Sequence, residues 1–117
     1  MSRIDLRPAR LDYKITRGDD FADTVTIKEG DPAVAVDVSS RIYTAQVRRT
    51  KDGDVVASMT IDTTDAATGQ ISYSVADTVT EDMSGDYVWD FQQSSGGVVR
   101  TLMGGKFTVD ADVTRSV

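Results

Sequence analysis

A two-residue period runs through most of this chain and limits it to an all-β fold. In "RLDYKIT", Leu11, Tyr13 and Ile15 share one face, with Asp12 and Lys14 on the other. Successive strand side chains point to opposite faces, so such alternation describes a strand with one face buried. "FADTVTIKE" repeats it with Phe21, Val25 and Ile27 inside. Asp23 falls on the apolar side there, which predicts a bulge or frayed strand start. "RIYTAQVRRT", "VVASMTID" and "QISYSV" follow, with Tyr43, Ala45 and Val47, then Val55, Ala57, Met59 and Ile61, then Ile71, Tyr73 and Val75 assigned to the core. "DYVWDFQ" sets Tyr87, Trp89 and Phe91 on one face, and "VVRTLMGGKFTV" is the last long strand, expected to kink at Gly104-Gly105.

Turn chemistry separates these runs. "EGDP" and "SSGG" are turns, and Asp52-Gly53 lies between two alternating runs as a hairpin signal. "ITRGDDF" contains Arg17-Gly18-Asp19, a tripeptide known as an adhesion signal. Gly18 and Asp19 are also what a tight turn demands, so the stretch reads as the first hairpin, with Arg17 incidental. "DTVTEDMSG" alone breaks the alternation. Thr78 and Glu81 stand at capping-box spacing before Gly85, predicting one helical turn that carries the chain from one sheet to the other.

About seven short strands with one helical turn predict a single antiparallel β-sandwich over residues 10–109, with a closed barrel as the alternative. Residues 1–9 form an N-terminal arm with Ile4 and Leu6, and 110–117 a C-terminal tail with Val113. These ends are expected either to fray or to pack on neighbouring copies.

Composition narrows the chemistry. The 117 residues contain no cysteine and no histidine, which removes disulfides, thiolate metal sites and Ser-His or Cys-His catalysis. A net charge of −6 opposes binding to a phosphate backbone, and Arg48 and Arg49 alternate in direction instead of forming a stripe with Lys51. No apolar run is long enough for a membrane span, and the N-terminus lacks the apolar middle of a secretory signal, so a cytoplasmic origin is expected. Asp19, Asp20 and Asp23 could gather a calcium ion but lack the ligand order of a calcium loop, as do Asp62 and Asp65. Solvated turns fit them better. Asp90 is the carboxylate best placed for chemistry, yet no second acid or base accompanies it. Tyr87, Trp89 and Phe91 would serve a carbohydrate-binding module only if exposed; alternation assigns them to the core. The expectation is a protein without catalytic residues, metal or cofactor.

"GDYVWDF" is similar to the tyrosine corner of immunoglobulin-like domains, with Gly85 two before Tyr87 and Trp89 two after it. Trp89 stands where antibody domains carry a cysteine, and Asp82 replaces the usual acidic position by one, so the likeness is to the sandwich in general. Across the chain, "LDYKITRGDDF", "SGDYVWDFQ" and "LMGGKFTVDADVTR" resemble the immunoglobulin-like N-terminal domain of phage baseplate upper proteins. The resemblance rests on Gly18, Asp19 and Phe21, then Gly85, Tyr87, Trp89 and Asp90, then Gly105, Lys106, Phe107 and Val109. It implies a structural virion protein of a tailed bacteriophage that docks in multiple copies on itself and on other virion proteins. A tail, baseplate or fibre-attachment position is expected, with capsid decoration as the alternative and no nucleic-acid or membrane partner.

Overall fold

The computed structural model describes residues 9–110. Eleven strands build two facing sheets and a small side hairpin: β1 (Ala9–Arg10), β2 (Tyr13–Thr16), β3 (Phe21–Thr26), β4 (Lys28–Glu29), β5 (Val34–Ala35), β6 (Ile42–Arg48), β7 (Val55–Ser58), β8 (Thr60–Asp62), β9 (Gln70–Val75), β10 (Gly85–Ser95) and β11 (Val98–Asp110). The larger sheet runs β1-β11-β10-β6-β7, with β2 also on β11; the smaller runs β3-β9-β8; β4 and β5 pair with each other. This is an all-β sandwich. A single turn of helix, α1 (Asp77–Thr80), joins β9 in the small sheet to β10 in the large one, as its position in the sequence predicted.

The core is made by the residues that alternation places inside. Tyr43, Val47, Ile71, Tyr73, Trp89, Phe91 and Phe107 are all buried. Their rings form one continuous cluster: Tyr13 lies 4.5 Å from Phe21, Phe21 5.2 Å from Phe107, and Tyr73 5.6 Å from Trp89. Each such pair contributes about 0.5–1.5 kcal/mol beyond its buried area. Val55 departs from its predicted core place and is exposed beside Val56. The register of β6 and β7 shifts at Val47/Arg48, so the edge strand β7 turns away from the core there.

Several local readings change. The stretch from Thr16 to Phe21 is a turn but not a hairpin: β2 pairs with β11 in the large sheet, and β3 pairs with β9 in the small one. The turn is therefore the first crossing between layers. β1 and β2 also run parallel to β11, so the sandwich is mixed at that edge. The irregularity in β11 is not at Gly104-Gly105. It is a bulge at Leu102, because Phe91 pairs with Met103 while Gln92 pairs with Thr101. The two glycines instead let backbone approach: a Cβ on Gly105 would lie 2.5 Å from the Leu11 carbonyl oxygen, and one on Gly104 2.9 Å from that of Trp89. Asp23 causes no bulge, since β3 pairs with β9 without a break. The loop at Gly96 and Gly97 has positive φ at both, the requirement of a two-residue hairpin turn. Among the described residues no helix is long and apolar enough to cross a membrane.

Candidate functional site

The turn that carries Arg17-Gly18-Asp19 is held from both layers. The Asp19 N–H donates to the Thr16 carbonyl at 3.1 Å, and Gly18 takes φ +88°, which an L side chain rarely adopts. Thr80, fully buried, accepts from the Gly18 N–H at 3.2 Å and donates to the Asp19 carbonyl at 2.8 Å. The Asp20 carboxylate accepts the Asp77 N–H at 2.7 Å, so the first turn of α1 is capped from across the molecule. The expected capping role of Thr78 is not used: the residue before the helix is Ala76, with no side-chain cap. Arg17 donates its backbone N–H to Asp110, and its Nε is buried without a hydrogen-bond partner among the described residues. The backbone of the tripeptide is thus bonded into the junction of the two sheets.

Asp23 contributes to the interior. Tyr13 donates its hydroxyl to the Asp23 carboxylate at 2.6 Å, and the Tyr13 and Tyr73 hydroxyls lie 2.5 Å apart. This clasp joins β2 of the large sheet to β3 and β9 of the small one. Burial, then the hydrogen bond to Asp23, pushes the Tyr13 phenol well above its ordinary range, and burial raises Tyr73. With Asp23 bound to Tyr13 and Asp20 to α1, the three carboxylates do not converge as a calcium site. Asp62 accepts from the N–H and hydroxyl of Thr64, which closes a turn. Among the described residues no group of three acidic side chains is arranged to hold a metal.

Tyr87, Trp89 and Phe91 are 7%, 3% and 0% exposed. None presents a ring face for stacking on a sugar, which removes the basis of the carbohydrate-binding alternative. Tyr87 accepts the Ser84 N–H at 3.0 Å, closing a local tyrosine corner, and Arg49 covers its ring at 4.5 Å while donating to the Ser84 carbonyl. Trp89 donates Nε1–H to the Leu11 carbonyl at 2.7 Å, which ties β10 to the N-terminal strands across β11. Phe21 and Phe107 are likewise buried, so the turn and core residues named from the sequence serve the fold. Ile4, Leu6 and Val113 lie outside the described residues.

The outer face of the large sheet is a candidate surface for interaction. The register sets it out in rows across β11, β10 and β6: Lys106, Val88 and Arg48; Gly104, Asp90 and Gln46; Thr101, Gln92 and Thr44; Val99, Ser94 and Ile42. The face changes from charged, through amide and hydroxyl, to apolar at the hairpin end, where Val99 is 62% and Ile42 66% exposed. In the charged rows Gly104 has no side chain, and a depression of about 600 Å3 opens there. Arg10, Arg48, Lys51 and Lys106 line it around Asp90. Arg48 lies 3.5 Å from Asp90 and donates to Gln46 at 2.9 Å. Burial raises the Asp90 carboxyl, and Arg48 pulls it back down. Its charged neighbour is thus a cation and not a second carboxylate. The strand reading of Arg48 and Arg49 holds, but Arg10 and Lys106 reach the same depression from β1 and β11. No linear pattern joins residues so far apart.

No protein-family model matches the chain, and comparison with curated proteins returns no match.

Proposed function

We propose that this protein is a non-enzymatic structural component of a tailed bacteriophage particle, docking in multiple copies at a tail, baseplate or fibre-attachment position. The observation that carries the reading is a division of labour. The aromatic residues of the family-like motifs are consumed by the fold, while Asp90 and Lys106 belong to an outer sheet face of polar side chains with a cation-lined depression and an apolar end. A flat face of that kind suits contact with a protein surface, and a cationic hollow on an acidic protein favours an acidic neighbour. Gly85-x-Tyr87-x-Trp89-Asp90 and Gly105-Lys106-Phe107 lie on the paired strands β10 and β11, and Phe21, after Gly18-Asp19, packs on Phe107 from the other sheet, an arrangement in keeping with the likeness to phage baseplate domains.

The test is the composition of purified particles. Mass spectrometry of intact virions, separated tails and separated heads should find the chain in particles and in the tail fraction. Recovery in heads alone would make it a capsid decoration protein. Absence from both fractions refutes the reading. Val99→Asp with Ile42→Asp should block incorporation while the isolated domain stays folded.

A further inference from the structure

The large sheet ends at β7, which pairs with β6 and with no other strand among the described residues. After Met59 the chain passes into β8, which pairs with β9 of the small sheet. Residues Val55 to Thr60 are therefore an edge of the sandwich. It is the edge remote from both ends of the described chain. Ala9 and Asp110 lie on β1 and β11, and β11 stands three strand spacings from β7, roughly 14 Å.

The direction of the backbone groups follows from the ladder. The Met59 N–H donates to the Ala45 carbonyl at 2.8 Å, and Ala57 stands opposite Val47 two residues earlier. Opposed residues of an antiparallel pair exchange bonds at every second position, so Ala57 and Met59 turn their backbone groups towards β6. A trans peptide points each carbonyl away from the N–H that follows it. The Val56 carbonyl and the Ser58 N–H and carbonyl consequently face outward, away from the sheet. Edges are commonly protected by bulges, lysines or prolines. Here Val56 is the extra residue of a bulge, but Val55 to Thr60 contain no proline and no charge, and Val55 and Val56 are exposed.

These outward groups complement themselves. With two copies antiparallel about a two-fold axis at Ala57, Val56 of each stands opposite Ser58 of the other. Each Ser58 N–H then meets the Val56 carbonyl of the other copy, and the bond occurs twice because the contact is isologous. Ala57 and Met59 are buried, so Val56 and Ser58 share the outer face and meet across the junction. A second copy presents the same donor and acceptor in reverse order on an uncharged strand, so neither partner has to bury a charge.

We infer that β7 is a self-association edge, where two copies join their large sheets by antiparallel pairing of Val56–Ser58. So short a contact is weak and reversible. Asp54 precedes the strand and Asp62 follows it, so like charges approach at both ends on a chain of net charge −6. Salt screens that repulsion and should tighten the contact. The inference does not rest on the virion reading.

Sedimentation velocity of the full chain, from micromolar to millimolar concentration, should show monomer passing to dimer, further at high salt than at low. Val56→Lys places a charge on the edge, and Ser58→Pro removes an N–H that points away from β6. Each should weaken association at least about tenfold and leave the Trp89 emission that of the folded chain. The absence of native cysteine allows a test of register. Val56→Cys and Ser58→Cys stand opposite as a hydrogen-bonded pair, whose Cα spacing of about 5.5 Å suits a disulfide. A mixture of the two proteins should therefore form linked dimers faster than either alone. A monomer at every concentration, or association that both edge variants leave unchanged, overturns the proposal. Linking no faster in the mixture overturns the two-fold register. Dimers that salt dissolves would join through opposite charges, and that result also overturns the edge assignment.

Discussion

Tyr13→Phe removes one oxygen and leaves every ring contact in place, so it isolates the clasp between the sheets. In the native protein the Tyr13 hydroxyl donates to Asp23 at 2.6 Å and meets the Tyr73 hydroxyl at 2.5 Å. Without it, Asp23 loses its donor and Tyr73 loses its partner inside the seam. A hydrogen bond to a charged group contributes about 1.5–3 kcal/mol, and a stranded buried polar group costs about 1–3 kcal/mol. Partial access of water to Asp23 sets the expected loss near the lower end, about 2 kcal/mol. For a domain of this size that corresponds to a fall in Tm of about 8 °C. Trp89, the single tryptophan, is buried 5.2 Å from Tyr13, so its fluorescence follows unfolding in denaturant without a label. A double-mutant cycle with Asp23→Ala separates the bond from general damage, and a coupling of at least about 1 kcal/mol is expected. A loss below about 0.5 kcal/mol, or additive effects of the two substitutions, would refute the clasp. The same network sets an alkaline limit. Tyr13 and Tyr73 titrate above the ordinary value of 10.0 when folded, so the folded chain retains protons that the unfolded chain releases. Their contribution is complete below about pH 10 and declines as pH rises beyond it, more shallowly in Tyr13→Phe.

Other substitutions test the remaining junctions. Thr80→Val keeps the shape but strands the Gly18 N–H and Asp19 carbonyl, and should cost about 1–3 kcal/mol in urea unfolding; a neutral result would mean that the turn does not depend on α1. Gly105→Ala drives a Cβ into the Leu11 carbonyl, with an expected loss of about 1–3 kcal/mol and release of the Trp89–Leu11 hydrogen bond, visible as a fluorescence change. Trp89 in the native protein should emit at short wavelength and resist acrylamide; ready quenching would place the ring outside the core and revive a stacking role. Lys106→Glu should leave the Tm within about 2 °C, because Lys106 is exposed at the rim of the depression, yet reduce particle incorporation if that hollow receives an acidic neighbour.

Strand identity and facing were legible in the chain because alternation is a local property, enforced residue by residue by the pleat. Tyr43 to Val47, Ile71 to Val75 and Tyr87 to Phe91 could be assigned to the core from spacing alone. The helical turn α1 was legible for the same reason, since it is where alternation stops; a second, 3-10 turn at Ala66–Thr68 was not. Asp23 was not, because its partner Tyr13 lies on a strand of the other sheet. Gly104 and Gly105 were marked as unusual, but the atoms that require them belong to Leu11 and Trp89. The depression around Asp90 draws on β1, β6, β10 and β11, which only hydrogen-bond register brings together.

The stretch at Arg17-Gly18-Asp19 shows where the division falls. The sequence by itself determined that a turn stands there, because Gly18 permits a positive φ and alternating runs stand on either side. Only the tertiary structure decided that this turn crosses between sheets. That choice depends on which strand edge each flanking run meets, β11 for one and β9 for the other, and on Thr80 and Asp20 bonding across the junction. Pairing partners far apart in the chain compete through the whole set of backbone hydrogen bonds and the shared core, and no window of residues contains that competition.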